Sequence, residues 1–551
     1  MASIASTAEF SLHHYVILLA SLIFAILIGG SVYRLYFHPL ASYPGPKLAA
    51  LTLWYEFYYD CIKGGQYTFE IGRMHKKYGP IIRISPHELH VNDPSFINEL
   101  YAGGTKRRDK YYFYARQFGP SKNIFGTVPH DLHRARRAAL SRFFSKASVA
   151  KLEPLIVNTV QKLCAQIETY AGTGKPVELS TAFSCMTTDI VTEYAFARSP
   201  HFCDSPTFEP NFKKAILKGT GLVPFVKQFP WIMPLAKAMP LSVTSRMDPQ
   251  LGAYVIYLNS IKTQIIHVME EQTEKKNQNA AHPTIFHELL QGDLPEEEKE
   301  LDRLWAEGQL VVGAGTETTA WALSVMMFYL LADPTILSRL VEELVTAIPD
   351  PSQLPSGAVL TQLPFLITVI SEGLRLSYGA ATRLQRVSPL TPLHFKSSDG
   401  KVESYIPPGT PVGMTSVHIH QNPDIFPDPL AFIPERWMND QNRKREDRLD
   451  RYLLSFSKGS RQCLGMNLAY TELYFGVAAV IRTFGNRLEL FETTQEDVEA
   501  HRDCFIPRAK VESKARHKIK PRRGVYEPIS WGRLTHVTSE PPHRKAVVAS
   551  N

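Results

Sequence analysis

Apolar residues recur at three- and four-residue spacing over much of the chain, a pattern typical of helices that bury one face. The long segments that show it are Lys151–Tyr170, Leu251–Lys276, Leu301–Leu331, Pro334–Ile348 and Leu366–Leu376. Strand-like stretches are short, at Ile81–Ile84 and Leu89–Val91 on either side of Pro86. The pattern therefore predicts a mainly α fold with a small β portion.

One apolar stretch near the N-terminus has no charge at all. It runs from Tyr15 to Tyr33, nineteen residues, close to the ~20 residues that a helix needs to cross a bilayer. A cleaved signal peptide is the alternative, but the preceding segment carries Glu9 and no Lys or Arg, whereas a signal peptide begins with positive charge. Since Arg34 and Lys47 follow the stretch, we predict a single-pass anchor with the rest of the chain in the cytoplasm, at the endoplasmic reticulum.

Proline and glycine mark the end of this anchor, which we assign to residues 1–33. Tyr43–Pro46 reads Tyr-Pro-Gly-Pro, which cannot continue a helix. Residues 34–47 are therefore predicted to form a stiff hinge at the membrane surface, with an ordinary turn as the alternative.

The remaining chain shows no repeat and no long Gly/Ser linker between residues 50 and 510. At about 150 residues per domain, a length of 551 residues suggests three to four domains. The missing linkers instead favour one domain over residues 48–511. A cluster of basic residues runs from Lys510 to Arg523, and the residues after it have little periodicity. We therefore expect residues 512–551 to form a flexible basic tail, or else a patch for anionic lipid or an acidic partner.

Composition narrows the possible functions. Lys and Arg number 61 against 53 Asp and Glu, a net charge of +8 that is too mild to indicate nucleic-acid binding. Hydrophobic residues make up 44%, which excludes a disordered or fibrous chain. The six cysteines include no C-x-x-C pair, so no disulfide or zinc framework is expected and a reducing compartment fits.

One cysteine stands in a distinctive loop. Residues Phe456–Gly465 read Phe-Ser-Lys-Gly-Ser-Arg-Gln-Cys-Leu-Gly, and the apolar, helix-compatible run Met466–Val480 follows. A cysteine near a helix start is favoured as a thiolate, and a thiolate is a metal ligand or a nucleophile. Arg461 is suited to pair with an anionic group of the same ligand as Cys463.

This loop fits F-x-x-G-x-R-x-C-x-G and resembles the haem-binding loop of the cytochrome P-450 family. The resemblance implies haem b as the cofactor, with Cys463 as the axial thiolate ligand of its iron. It also implies that Phe456 packs beside the cysteine and that Arg461 holds a haem propionate. Gly459 and Gly465 are expected to allow close approach.

Two further motifs occur upstream in the order that the family shows. Glu372–Arg375 supplies E-x-x-R, whose spacing puts both charges on one helix face, although many surface helices carry such a pair. Phe432–Trp437 resembles the family's P-E-R-F segment. By this resemblance Glu372, Arg375 and Arg436 form a buried structural network.

The long predicted helix from Leu301 contains Gly313–Thr319, and glycines inside a helix cost roughly 0.5–1 kcal/mol each relative to alanine. A groove for a small ligand would explain them, as would a small-residue contact between helices. The stretch resembles the family's (A/G)-G-x-(D/E)-T-(T/S), with Ala314 and Gly315 at the cofactor. The resemblance implies that Thr318 positions dioxygen and that Glu317 supplies protons.

Further haem contacts are implied for three residues. Arg137 matches the arginine of the family's W-x-x-x-R, but His133 replaces the tryptophan. Arg386 matches a strand arginine near a propionate.

The resemblance as a whole implies a membrane-anchored monooxygenase that oxidises an apolar small molecule with O2. We see no flavin or nicotinamide fingerprint, so electrons are expected from a separate NADPH-dependent flavoprotein reductase. Tyr36–Pro46 and Ser377–Gly379 are similar to membrane-bound fungal members of the trichodiene-oxygenase-like group, which tailor terpenoid, polyketide or related secondary metabolites. The alternatives are a haem-thiolate isomerase, dehydratase or desaturase, and a haem-binding scaffold without turnover. Membrane lipid is an expected partner and nucleic acid is not.

Substrate contacts are expected from four segments. They are Tyr111–Val128, the helix before Ala314, Gly379–Leu384 and Asp503–Ile506. The first is rich in aromatic residues, which suits a ring-bearing or terpenoid ligand and equally suits packing.

Overall fold

Helices dominate the computed structural model, as the sequence pattern predicts. The structure describes residues 2–118, 122–273, 284–438, 440–444, 448–510 and 518–521. Its α-helices within these ranges are α1 (Ala2–Val32), α2 (Lys47–Leu51), α3 (Trp54–Phe57), α4 (Tyr67–Tyr78), α5 (Ile97–Leu100), α6 (Tyr112–Ala115), α7 (His130–Ser141), α8 (Lys146–Ala150), α9 (Glu153–Glu168), α10 (Leu179–Phe196), α11 (Lys213–Gln228), α12 (Ile232–Ala238), α13 (Leu241–Met247), α14 (Pro249–Thr273), α15 (Ile285–Gln291), α16 (Leu301–Ala332), α17 (Pro334–Ala347), α18 (Gly357–Leu360), α19 (Pro364–Ser377), α20 (Ser416–His420) and α21 (Met466–Phe484).

Local sequence explains where these helices begin. At α17, for example, the Asp333 carboxylate accepts hydrogen bonds from the amides of Thr335 (2.9 Å) and Ile336 (3.2 Å), and Pro334 occupies the first turn. Such a cap satisfies amides that have no partner within the helix. The predicted ends of the five long helices agree with the observed ends to within two residues, with one exception. Residues 274–276 of the segment Leu251–Lys276 lie outside the described residues.

The strands are short and form small sheets. Their bounds are β1 (Ile81–Arg83), β2 (Leu89–Val91), β3 (Val177–Glu178), β4 (Arg386–Val387), β5 (Leu393–Lys396), β6 (Glu403–Ile406), β7 (Pro411–Gly413), β8 (Leu488–Phe491), β9 (Arg502–Cys504), β10 (Ile506–Arg508) and β11 (Lys518–Pro521). One sheet has the order β1-β2-β7-β4, in which β2 and β7 are parallel and the other pairs antiparallel. A second has the order β3-β11-β8, and β5-β6 and β9-β10 are antiparallel hairpins.

The core is built around α16, which packs against α10, α14, α19 and α21. Small residues allow the helices to approach. Gly373 of α19 faces the Met326 side chain of α16, and Gly315 of α16 faces Val191 of α10. Side chains at these glycines would overlap their neighbours, so the helix pairs depend on them.

The N-terminal helix stands apart from this core. The stretch His13–Phe37 is long and apolar enough to cross a membrane, and side chains from His13 to Gly29 are exposed. Residues 34–47 are then tied to the domain, because the backbone N–H of Arg83 donates to the Pro44 carbonyl (2.7 Å). The Arg83 guanidinium also donates to the carbonyl of Arg34 (2.7 Å).

Part of the segment assigned as a basic tail is a strand. Lys518–Pro521 form β11, which pairs antiparallel with β3 and β8. The other residues of the predicted tail lie outside the described residues.

Candidate active site

A cavity of about 630 Å³ lies between α16 and the loop that precedes α21. Its walls are mostly apolar. All four segments predicted for substrate contact reach it, through Gln117, Phe118, Asn123, Ile124 and Phe125, through Leu310 and Val311, through Gly379, Ala380 and Leu384, and through Phe505 and Ile506. Helices α11 and α14, which the sequence analysis does not connect with substrate, complete the wall with residues such as Val223 and Tyr257.

The aromatic residues of the first segment separate into two groups. The rings of Phe118 and Phe125 pack edge to face at 4.7 Å, and each also contacts Phe505 at 5.3 Å, so these three form one aromatic wall of the cavity. Tyr112, by contrast, is exposed at the surface.

Most of the predicted site residues line this one cavity. They are Cys463, Arg461, Phe456, Gly465, Arg386, Arg137, His133, Ala314, Gly315 and Thr318. Gly459, Glu317 and the predicted Glu–Arg–Arg network do not line it.

Cys463 is surrounded by protein, yet its own surface is open to the cavity. Its backbone N–H donates to the Phe456 carbonyl (2.9 Å), which closes the loop into a tight turn before α21. Burial raises the pKa of the thiol, while the backbone N–H of Gly465 and the Arg137 guanidinium lower it. In the protein alone burial therefore outweighs the helix start that the sequence analysis invokes for the thiolate.

Two features shape the rest of the cysteine loop: the packing of Phe456 and a backbone position that suits only glycine. The Phe456 ring packs against Tyr470 at 5.1 Å. Gly459 has φ +73°, and a side chain there would collide with the carbonyl oxygens of Tyr101 and Ala102. This position therefore requires glycine.

Four cations face the cavity without a carboxylate partner among the described residues: Lys110, Arg137, Arg386 and Arg461. Arg461 donates to the backbone carbonyls of residues 108, 127 and 128, and Arg137 to that of residue 462. Burial lowers the pKa of Lys110, and the charges of Arg386 and Arg461 lower it further. Burial, followed by repulsion from Arg386, lowers the pKa of Arg461 to about 9. These shifts show that the cations repel one another, so an anion placed among them would stabilise their charged forms.

His133 stands beside these cations. Burial and then the charges of Arg461 and Lys110 lower its pKa to about 2, so the imidazole is neutral. A neutral imidazole still has one N–H to donate, as does the indole that it replaces.

On the opposite wall, α16 presents its small residues. Ala314 is exposed to the cavity, and the Thr318 hydroxyl donates to the Ala314 carbonyl (2.8 Å). Gly315 borders the cavity but also faces Val191, so both explanations for the glycines apply to this helix.

Glu317 is turned toward α10. Its carboxylate accepts a hydrogen bond from the Ser184 hydroxyl (2.7 Å), and both residues are buried. Burial raises its pKa.

Glu372, Arg375 and Arg436 meet in the core. Arg375 binds the Glu372 carboxylate through two nitrogens at 2.8 Å, and Arg436 Nε lies 3.1 Å from Oε1. The Trp437 indole N–H also donates to Glu372 (2.8 Å). Arg375 further donates to the carbonyls of residues 420, 429 and 431, which fixes the chain after α20.

The sequence model of the family described as Cytochrome P450 matches residues 44–510. The chain belongs to the cytochrome P450 family. Its members are haem-thiolate enzymes, so this P450 is a haem-thiolate monooxygenase that uses haem b with an axial cysteine, a redox partner, O2 and a small-molecule substrate.

Three fungal proteins are among the curated relatives of this P450. A cytochrome P450 monooxygenase of Cochliobolus heterostrophus, tpcC, is 45% identical over 487 residues, covering 87% of this chain and 91% of the relative. The tryptophan 6-hydroxylase fscE of Fusarium equiseti is 40% identical, covering 88% and 92%. The conidiogenone synthase PchP450 of Penicillium rubens is 41% identical, covering 87% and 94%.

The residues of the P450 cavity fit haem b. Cys463 opens onto the space, as an axial ligand must. The unpaired cations match the two propionates of haem, because a buried cation without an anion is costly. Lys110 belongs to this set although the sequence analysis missed it. The only local signal was a lysine just before the aromatic run Tyr111–Tyr114.

A second buried charge cluster in this P450, also missed, does not line the cavity, although its member Arg383 falls within the segment Gly379–Leu384. Lys227 of α11 binds Glu56 and Asp60, and Arg383 binds Glu56 and lies 3.4 Å from Glu88. All five side chains are at most 7% exposed. Glu56 and Arg383 are 327 positions apart in the chain, so no local spacing announces the pair.

Proposed function

We propose that this P450 inserts one oxygen atom from O2 into an apolar intermediate of fungal secondary metabolism, such as a terpenoid or a polyketide. The observation that carries the proposal is that Cys463 and the small residues of α16 face each other across one largely apolar cavity. Bound haem b would activate O2 there, with one oxygen atom entering the substrate and the other leaving as water. The names of the relatives, among them a hydroxylase and a synthase, support a small-molecule oxidation.

In this proposal Cys463 ligates the iron, and the cations fix the orientation of the cofactor. Arg461, Arg386 and Arg137 pair with the propionates, and neutral His133 donates a further hydrogen bond. Phe456 shields the thiolate from water.

The two glycines of the loop and the small residues of α16 provide room. Gly459 lets the loop turn beneath Tyr101, and Gly465 leaves space beside Cys463. Ala314 and Gly315 form the wall that faces the cofactor.

Two side chains of α16 deliver protons to the cavity in this proposal. Because the Thr318 hydroxyl donates its own proton to the Ala314 carbonyl, its oxygen accepts a hydrogen bond from a water in the cavity. Glu317, whose pKa is raised by burial, holds a proton more readily than an exposed glutamate and passes it toward Thr318.

The Glu372–Arg375–Arg436 network has a structural role in this proposal. It fixes the segment between α20 and the cysteine loop, so that Cys463 keeps its place in the cavity.

Electrons come from an NADPH-dependent flavoprotein reductase in the same membrane. The anchor lies in residues 1–33, residues 34–47 are the hinge, and residues 48–511 are the catalytic domain facing the cytoplasm from the endoplasmic reticulum. Residues 512–551 are a basic tail, of which Lys518–Pro521 pair with the domain as β11.

Exposed apolar residues support contact between the domain and the lipid. The ring centroid of Phe229 lies 6.2 Å from that of Trp54 and 6.2 Å from that of Trp231. Trp54 and Trp231 are 62% and 61% exposed, as is expected of rings at a lipid surface. We name Trp54, Phe229, Trp231 and their exposed neighbour Leu235 the apolar face.

The test compares the small molecules made by a host that lacks the gene with those made by the same host carrying it, under labelled O2. We expect a compound that accumulates without the gene to become a product one labelled oxygen heavier. The Cys463→Ala variant should form no product, and the reduced, CO-bound spectrum should lose its thiolate signature. A Cys164→Ala variant, in which a buried cysteine of α9 away from the cavity is truncated, is the matched control and should retain product.

Two outcomes would contradict the proposal. A product that carries no label would indicate an isomerase, dehydratase or desaturase. Full output from Cys463→Ala would indicate a scaffold without turnover.

A further inference from the structure

The orientation of Glu317 differs from that of its neighbour Thr318. Thr318 lines the cavity, whereas the Glu317 carboxyl does not and is 5% exposed. To pass a proton toward the cavity, this carboxyl depends on the groups that hold it on the α10 side.

Ser184 of α10 makes the contact that holds it. Its hydroxyl lies 2.7 Å from Glu317 Oε1 and is itself buried. A hydroxyl that donates to a carboxylate favours the charged form, and such hydrogen bonds are stronger than neutral ones.

The position of Ser184 relative to α16 is fixed by two neighbouring threonines. The Thr187 hydroxyl donates to the Thr316 carbonyl (2.8 Å), and the hydroxyls of Thr188 and Thr316 lie 3.1 Å apart. These contacts set the register of α10 on α16 at the residue just before Glu317. Ser184 therefore meets the carboxyl in a defined place.

Charged groups from three other elements act on the same carboxyl at longer range. Lys213 of α11 and Arg508 of β10 attract the carboxylate, and Glu178 of β3 repels it. Lys213 is already bound to Glu178 at 2.9 Å, which weakens its pull on Glu317. Burial exceeds these contributions and raises the pKa of Glu317, so the anion left after proton transfer needs a direct donor.

We infer that Ser184 is a positioning residue for Glu317, whose hydrogen bond stabilises the carboxylate formed each time a proton passes to the cavity. This inference rests on the proposed monooxygenase function and identifies a residue that sets the speed of its proton delivery. The substrate oxidation RH + O2 + 2 e⁻ + 2 H⁺ → ROH + H2O consumes two protons per turnover, so a slower Glu317 slows the whole reaction.

The test uses the purified full-length holoenzyme, its reductase and the compound that accumulates in the host lacking the gene. We expect Ser184→Ala to lower the NADPH-driven rate about tenfold, the effect of losing one hydrogen bond to a charged group. The product formed per NADPH should fall, and the rate should become more sensitive to replacing H2O by D2O. Ser184→Thr, which keeps the hydroxyl, should restore all three readouts.

A second measurement distinguishes proton delivery from structural damage. Driven by hydrogen peroxide, the reaction RH + H2O2 → ROH + H2O needs no added protons, so Ser184→Ala should match the wild type. Thr192→Ala removes a buried hydroxyl of the same helix that bonds to the helix's own carbonyls, those of Thr188 (2.6 Å) and Asp189 (3.4 Å), and it should keep the wild-type D2O effect.

Either of two results would overturn the inference. One is a Ser184→Ala enzyme that keeps wild-type coupling and D2O sensitivity. The other is an equal loss in the peroxide-driven reaction or in Thr192→Ala. Wild-type enzyme that forms no labelled product would refute the proposed function instead.

Discussion

Two glycines of the cysteine loop, which the sequence treats alike, have different surroundings. Gly459 has φ +73° and lies against two backbone carbonyls, whereas Gly465 has φ −81° and a side chain there would meet the Phe144 ring at 3.9 Å. Backbone carbonyls in a packed loop cannot move aside, but an open contact needs no adjustment. The contacts within the protein therefore require glycine at position 459 and not at position 465.

We expect Gly459→Ala to destabilise the protein by about 1–3 kcal/mol or more, because the alanine would be strained at positive φ and its Cβ would collide with two backbone carbonyl oxygens. Thermal unfolding measures the loss. Gly465→Ala is the matched control and should change the unfolding free energy of the haem-free protein by about 0.5 kcal/mol or less. Equal stability of the two variants would contradict the geometry described for the loop.

Site residues that belong to a short sequence motif could be predicted, because the spacing of the motif can be read directly from the sequence. Cys463, Arg461 and Thr318 are of this kind, and each lines the cavity. Lys110 and Ser184 could not be predicted in this way. Lys110 lies near the other cavity cations, and Ser184 binds Glu317. In both cases the neighbouring residues lie in other parts of the chain and come close only when the chain folds.

At the level of helices and strands, a similar distinction applies. Where periodicity predicts a long helix, its described ends agree to within two residues, because each turn depends on its own neighbours. The long helices α10 and α11 are not among those predicted. The parallel pairing of β2 with β7 joins Leu89 to Val412, a contact that no local pattern encodes.

The buried network of α19 offers a prediction at this level. Glu372 is fully buried and accepts from Arg375, Arg436 and Trp437, so Glu372→Ala leaves buried cations uncompensated. We expect a loss of about 3–5 kcal/mol in the free energy of unfolding, measured by denaturant titration.

The neighbouring segment provides the control. Glu435 pairs with Arg339 at 3.0 Å, but both side chains are more than 40% exposed. Glu435→Ala should cost about 0–1 kcal/mol. A loss of the same size in both variants would show that the burial of Glu372 is not what matters.

On the scale of the whole molecule, the proposed membrane anchor stands apart from the folded domain. Residues from His13 to Gly29 are exposed, while Arg34 is hydrogen-bonded to the domain through Leu51 and Arg83. We therefore expect a variant that lacks residues 2–32 to unfold at the same temperature as the full chain and to bind phospholipid vesicles more weakly.

The remaining vesicle binding of that shortened chain should depend on the apolar face. Changing Trp54 and Trp231 to Ser should abolish co-flotation with vesicles. Leu390→Ser, at a residue 73% exposed and outside the apolar face, should leave it unchanged. Membrane contact of the domain would be refuted if the tryptophan variants still floated.

The buried cluster around Arg383 limits how this P450 can be recombined with its relatives. Its members come from the start of the domain, from Glu88 beside β2, from α11 and from the loop after α19. A chimera that imports α11 alone would carry Lys227 away from the carboxylates of Glu56 and Asp60. We therefore expect exchanges of the cavity wall formed by α11 to give a stable protein only when these distant segments are exchanged together.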